Sequence, residues 1–182
     1  MSYKKWILIA VCLFGIGMGF GLATPVGIID LLAEDLAALE ELGTILGPFK
    51  VSTAAFIFVK NVSVLLFSFI FSPILCLLPI LALTVNGWVL SFVSAAVVQE
   101  ESLGLLLTAL LPHGIIELPA IIIGEAAALS FGSMAIIALI SKEKRNQLPP
   151  NLKQNLRYLM VACVLLLPAA IIETYISPLF LT

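Results

Sequence analysis

Charged residues are scarce in this chain of 182 residues, since Asp, Glu, Lys and Arg make up only 11% of it. Hydrophobic residues account for 62%, and the mean hydropathy is +1.19. A water-soluble domain needs a polar surface, which so few polar residues cannot build. The apolar residues form long unbroken blocks rather than the period-two alternation of a transmembrane barrel. The composition therefore predicts a single integral membrane domain over residues 1–182, an all-α polytopic transmembrane helix bundle in contact with the lipid bilayer.

Three further scarcities bear on function. The formal net charge is −2, so the chain has no basic surplus for binding nucleic acid. With a single histidine, the two-histidine motif of zinc proteases is excluded, and both aspartates fall in an acidic segment remote from that histidine. Three cysteines match no metal or disulfide spacing and are predicted to be buried thiols, namely Cys12, Cys76 and Cys163. An enzyme therefore has weak support, and only a glutamate-based intramembrane hydrolase stays open.

Long apolar runs predict five membrane spans. The run from Leu103 to Ile140 is too long for one span of ~20 residues and too short for two. We therefore expect a half-helix over Leu103–Leu111, either re-entrant or interfacial, then a break at Pro112-His113-Gly114 and the fourth span. Asn86-Gly87 is expected to interrupt the third span. The first, second and fifth spans are expected at about Trp6 to Ala23, Phe49 to Phe71 and Tyr158 to Ile176. The third span follows a tight turn near Ser72-Pro73 and ends at about Val98.

The segment after the first span predicts a different kind of helix. Thr24-Pro25 is typical of a helix start, and the helix that follows to about Leu42 is amphipathic, with five acids and no base. This composition favours an interfacial position, either at the membrane surface or over the mouth of the bundle. Within the first span, Gly15 and Gly19, like Gly17 and Gly21, are one helical turn apart, which permits close helix packing either within one chain or in a homodimer.

Charge asymmetry predicts the orientation. The loop from Ser141 to Arg157 holds five basic residues and one acid, and Pro149-Pro150 predicts that it is extended. By the positive-inside rule this loop and Lys4-Lys5 lie in the cytoplasm, and the acidic segments lie outside. Five spans satisfy these assignments in a multi-pass protein of the cell membrane. Its N-terminus is then cytoplasmic and its C-terminus outside.

Ionisable residues inside the apolar runs predict a polar site. His113 and Glu117 are four residues apart and share a helical face, Glu125 follows eight residues later, and Glu173 could reach them from the fifth span. One reading is a structural hydrogen-bond network that joins helices. A second is a proton- or ion-handling site. A third is a divalent-metal site, Zn²⁺ or Mn²⁺, with His113, Glu117 and Glu173 as ligands.

Lys60, Asn61 and Asn86 are the other polar residues placed within spans. A lysine at mid-span must be neutral, paired or in water, so Lys60 is expected to pair with Glu117 or Glu125. Asn61 and Asn86 are expected to satisfy each other or the backbone groups freed at the Gly114 break.

Three pieces of the chain resemble the stage II sporulation protein M family. These pieces are Pro112-His113-Gly114-Ile115-Ile116-Glu117-Leu118-Pro119-Ala120, the pair formed by Asn61 and Asn86-Gly87, and Ala169-Ala170-Ile171-Ile172-Glu173 followed by Pro178. The resemblance implies a multi-span membrane protein of bacteria and archaea. Its sporulation members are implied to act as scaffolds in a cell-wall remodelling complex during engulfment.

Two functions therefore stay open at the level of sequence. One is a membrane scaffold that recruits other membrane proteins. The other is a small ion- or proton-coupled transporter or channel whose pathway is lined by five residues, Lys60, His113, Glu117, Glu125 and Glu173.

Overall fold

The computed structural model describes residues 2–25, 47–100 and 103–180, with the backbone alone described at positions 100, 103, 105–113 and 180. The predicted amphipathic helix before Leu42 lies outside the described residues. Within them there is no strand, and five helices are long and apolar enough to cross a membrane, which confirms the all-α polytopic bundle. The helices are α1 (Tyr3–Ala23), α2 (Val51–Phe71), α3 (Leu77–Glu100), α4 (Leu103–Ile140) and α5 (Leu148–Tyr175), with short 3-10 helices at Lys142–Gln147 and Ser177–Phe180.

Helix α4 is the central helix of the bundle and contacts each of the other four. In its segment Gly114–Ile140, 56% of the most apolar stretch of 18 residues is buried. The corresponding share in the other helices is 22–33%. Its neighbour α5 packs against it as an antiparallel hairpin, whereas α2 runs parallel to α4, and α1 runs parallel to α3. This arrangement brings the ionisable residues of α4 against the side of α2.

The predicted break in the fourth span is wrong, because α4 continues through Pro112 and Gly114 for 38 residues. A proline inside a helix removes one backbone hydrogen bond, and membrane helices tolerate that loss where neighbouring groups compensate. The helix is about 57 Å long, nearly twice the ~30 Å of a hydrocarbon core. Its last turns extend past the C-terminal end of α2, because Asn61 of α2 is level with Glu117 of α4.

The predicted interruption of the third span is also wrong, because α3 is continuous through Asn86 and Gly87. Asn86 Nδ2 donates to the carbonyl oxygen of Ala82, one turn earlier in the same helix, at 2.7 Å. The amide is therefore satisfied locally and does not disturb the backbone.

The basic loop is shorter than predicted. Pro149 and Pro150 occupy the first turn of α5, where a proline costs no hydrogen bond, so this pair begins a helix instead of extending the chain. The predicted turn near Ser72-Pro73 is present, and it uses the left-handed backbone at Leu75 and Cys76, with φ of 53° at both residues.

Helices α1 and α3 meet at three glycines, Gly17, Gly21 and Gly87, which we call the glycine seam. A Cβ atom at Gly17 would lie 2.1 Å from the carbonyl oxygen of Thr84, and one at Gly87 would lie 2.2 Å from that of Phe14. Only a residue without a side chain permits this approach. The remaining pair, Gly15 and Gly19, faces open space.

Candidate functional site

Two hydrogen bonds between side chains connect α2 with α4. Asn61 Nδ2 donates to Glu117 Oε1 at 2.9 Å, and Ser68 Oγ donates to Glu125 Oε2. The donors are seven residues apart on α2 and the acceptors eight apart on α4, which is about two helical turns in each case. Because the helices run parallel, the two bonds repeat the same contact at two depths. We call these four residues the polar ladder.

Glu125 is the buried end of the polar ladder. Its side chain is 0% exposed, and the alanines that follow it, Ala126, Ala127 and Ala128, are equally buried. Oε2 accepts the hydrogen bond from Ser68, whereas Oε1 is buried and has no hydrogen-bond partner among the residues that the structure describes. A buried carboxylate is costly unless a cation, a proton or further donors compensate for the lost water. Oε1 is thus the atom of this site that can still accept a proton or bind a ligand.

Glu117 occupies a different environment, because it is only half-buried. It receives a neutral amide donor from Asn61 instead of the ammonium group expected from Lys60. The two carboxylates of α4 therefore both face α2, yet Glu117 remains partly accessible and Glu125 does not.

The ion pair expected between Lys60 and Glu117 or Glu125 is not formed among the described residues. The Lys60 side chain is exposed, on the outer surface of α2. Neighbouring residues of a helix point about 100° apart, so Asn61 and Lys60 cannot both face α4. The mutual bond expected between Asn61 and Asn86 is also absent, since each amide has the separate partner described above.

Ser68 is a site residue that the sequence analysis missed. Serine is common in membrane helices, so its identity alone carries little signal. The spacing of the residues did carry a signal. Ser68 follows Asn61 by seven residues, and Glu125 follows Glu117 by eight, so the two pairs can meet on neighbouring helices. Asn155 is a second omission: it is 1% exposed, and its Nδ2 donates to Ser130 Oγ of α4 at 3.2 Å.

The side chain of His113 lies outside the described part of the structure, so its contact with Glu117 remains a prediction. The register of the polar ladder places the backbone of His113 level with Ile57, in the N-terminal half of α2. Glu173 is half-buried near the end of α5 and has an interaction partner. Next to it, the carbonyl oxygen of Thr174 accepts a hydrogen bond from the backbone N–H of Phe49 at 3.2 Å.

The expected metal site also stays a prediction. Among the described residues, no group of three or more His, Cys, Asp or Glu side chains could hold a metal ion. Of the three ligands that the sequence suggests, Glu117 already accepts a hydrogen bond from Asn61. A metal at this position would therefore share that carboxylate with the polar ladder.

Comparisons with known proteins agree with this architecture. Residues 8–178 match the family model described as Stage II sporulation protein M. A protein of Methanocaldococcus jannaschii, itself described as uncharacterised, is 30% identical over 79 residues. That match covers 43% of this chain and 44% of the relative, so less than half of its length. No solved structure matches the chain. Because the family match extends from α1 to the last 3-10 helix and includes the whole polar ladder, the chain belongs to the stage II sporulation protein M family.

Proposed function

We propose that this integral membrane protein is a non-enzymatic scaffold that recruits other membrane proteins. The observation that carries the proposal is the polar ladder, in which the acidic groups of α4 accept hydrogen bonds from α2. A pathway or a catalytic centre needs polar groups that water or substrate can reach, whereas Glu125 is 0% exposed. A network of this kind is better suited to joining helices.

Other interhelical polar contacts support the same function. Ser91 Oγ of α3 donates to the carbonyl oxygen of Met18 in α1 at 2.8 Å, and Trp88 Nε1 donates to Thr24 Oγ1 at 2.9 Å. Interhelical hydrogen bonds and close glycine contacts are what hold helices together in lipid, where the hydrophobic effect does not. The outer faces of the helices carry many exposed apolar side chains, which are available to other membrane proteins.

The scaffold proposal is tested by combining a flux assay with partner mapping. In proteoliposomes, we expect the wild-type protein to conduct protons and monovalent cations no faster than protein-free vesicles. In native membranes, a photo-reactive residue at exposed positions such as Phe20 or Val164 should give discrete adducts with other membrane proteins. A flux that the Glu125→Gln substitution abolishes would overturn the scaffold in favour of transport.

Proton- or ion-coupled transport is the second candidate, and one atom favours it. Among the described residues Glu125 Oε1 has no hydrogen-bond partner, so this oxygen is free to bind a proton or a small cation that reaches it. The matched variants are Glu125→Gln, which removes the ionisable group, and Glu117→Gln, which removes the accessible one. Transport through Glu125 predicts flux in the wild type and none in Glu125→Gln.

Metal binding by His113, Glu117 and Glu173 is a subordinate proposal. It rests on the chemistry of an imidazole and two carboxylates, which suits Zn²⁺ or Mn²⁺. Elemental analysis of the purified protein should find about one metal per chain, and His113→Ala should remove it without unfolding the protein. If the wild-type protein contains no more metal than the His113→Ala variant, the proposed metal site is contradicted.

The proposed orientation places the N-terminus in the cytoplasm and the C-terminus outside. It rests on the basic residues between α4 and α5 and at the start of α1. Single cysteines at positions 41 and 145, in a chain without the native cysteines, should be labelled by an impermeant reagent from opposite sides. Labelling of both from the same side would contradict this topology.

A further inference from the structure

Lys60 lies where a charged side chain is least tolerated. It is nine residues after Val51 in a helix of 21 residues, which places it about 14 Å along the axis of a helix that just crosses a bilayer. Its side chain is exposed on the outer surface of α2. The four-carbon stem of a lysine covers less than half of the distance to either membrane surface, so Lys60 cannot escape the hydrocarbon core by extending.

No residue that the structure describes neutralises Lys60. Among the described residues, Lys60 forms no ion pair with either carboxylate of the polar ladder. Its neighbours on the same face of α2 are exposed and apolar, namely Phe56, Val64 and Phe67. Intramembrane charges are found facing a protein interior or an opposite charge, not lipid. A counter-charge from outside the described residues is therefore needed for Lys60 at this depth.

A carboxylate of the right sign lies at the same depth on the adjacent helix. Glu117 is bound by Asn61, the residue that follows Lys60, and it is only half-buried. A two-fold axis along the membrane normal keeps two copies in the same orientation. Residues at one depth in the first copy therefore meet residues at that depth in the second. Lys60 of each copy then faces Glu117 of the other, so the surface is complementary to itself.

We propose that a second copy of this chain covers the α2 face, with two ion pairs between Lys60 of one copy and Glu117 of the other. The pair that the sequence predicts within one chain forms between two. Each ammonium gains a carboxylate, while the apolar side chains around Lys60 leave lipid. This inference goes beyond the scaffold proposal, because it requires no other membrane protein and holds equally for a transporter.

The dimer is tested by disulfide cross-linking in the membrane. The chain carries Val64→Cys, one turn from Lys60, and the native Cys12, Cys76 and Cys163 are replaced by alanine. We expect a cross-linked species of twice the chain mass. Lys60→Glu should lower its yield by about tenfold, because each pair then becomes two facing carboxylates. This variant changes only an exposed side chain, so the monomer should unfold at the same denaturant concentration as the wild type.

Charge exchange between copies gives the decisive result. When differently tagged Lys60→Glu and Glu117→Lys chains are expressed together, both pairs in the mixed dimer are restored, and cross-linking should return to within about twofold of wild type. If Glu117→Lys does not fold, wild type mixed with Lys60→Glu serves instead. That mixed dimer keeps one pair and should cross-link to an intermediate extent.

Three results would overturn the dimer. They are unchanged cross-linking of Lys60→Glu alone, no recovery when the mixed chains are folded, and an adduct of another mass. The last result would show that a different membrane protein covers Lys60.

As a control for the alternative dimer, Gly19→Cys replaces Val64→Cys. Gly19 belongs to the exposed glycine pair of α1, which a dimer through that helix would bring together. We expect little cross-linking at this position and no response to Lys60→Glu. Efficient cross-linking at Gly19 with none at Val64 would overturn the α2 interface.

Discussion

The glycine seam and the polar ladder join two pairs of parallel helices by opposite means. At the glycine seam, α1 and α3 approach until a Cβ atom at Gly17 or Gly87 would collide with backbone of the other helix. At the polar ladder, α2 and α4 are connected by hydrogen bonds between polar side chains. Both solutions work in lipid, where close packing and hydrogen bonds replace the hydrophobic effect.

The two contacts should differ in how they fail. A backbone collision cannot be relieved by turning a side chain, so the helices themselves must move apart. The loss of one hydrogen bond in the polar ladder leaves the packing in place and costs only the unsatisfied group. Substitutions in the glycine seam should therefore be more destructive than substitutions in the polar ladder.

The largest effect is expected for Gly17→Ala. The added methyl group would meet the backbone of Thr84, and we expect a loss of about 3 kcal/mol in the free energy of unfolding. Unfolding is measured by titrating the protein from mild detergent into SDS and following helix content. A loss below that of Ser68→Ala would mean that α1 and α3 separate easily, and the proposed contrast would fail.

The next effect is expected for Ser68→Ala, which removes the hydrogen bond to the buried Glu125. With neither oxygen bonded, the carboxyl group should lower the free energy of unfolding by about 2 kcal/mol. Ser68→Ala combined with Glu125→Leu removes both polar groups and should recover part of that loss. Strict additivity of the single changes in this double-mutant cycle is the result that would contradict the bond.

A smaller effect is expected for Asn61→Leu. The bond to Glu117 lies at the half-buried end of the polar ladder, where the carboxylate keeps other ways of being solvated. We expect a loss of about 1 kcal/mol in the same SDS titration, in line with interhelical bonds of membrane proteins. A loss larger than that of Ser68→Ala would reverse the order of the two bonds.

The smallest effect is expected for Gly15→Ala, the matched control for Gly17→Ala. The new methyl group meets nothing within 4 Å, and alanine favours a helix over glycine. The free energy of unfolding should stay the same or rise by less than about 1 kcal/mol. Destabilisation as large as that of Gly17→Ala would show that the helix tolerates no alanine at either position.

Composition and hydropathy were enough to predict the class of protein and the number of membrane-spanning helices. Hydrocarbon requires about 20 apolar residues per crossing helix, so five such runs translate directly into α1 to α5. The placement of Glu117 and Glu125 on one helical face also follows from their spacing of eight residues. Helix ends were less predictable, because Pro112 and Pro149 can each lie inside or begin a helix, and only their neighbours decide which.

Tertiary structure alone decided which residue meets which. Lys60 and Asn61 are consecutive, and either could have faced α4. The rotation of α2 about its own axis places the Asn61 amide against α4 and the Lys60 side chain on the outside. Of the two glycine pairs in α1, packing against α3 selected Gly17 and Gly21 and left Gly15 and Gly19 outside. The physical reason is the same in both cases. Spacing along a helix fixes which residues share a face, whereas the face that turns inward depends on all the contacts of the bundle together.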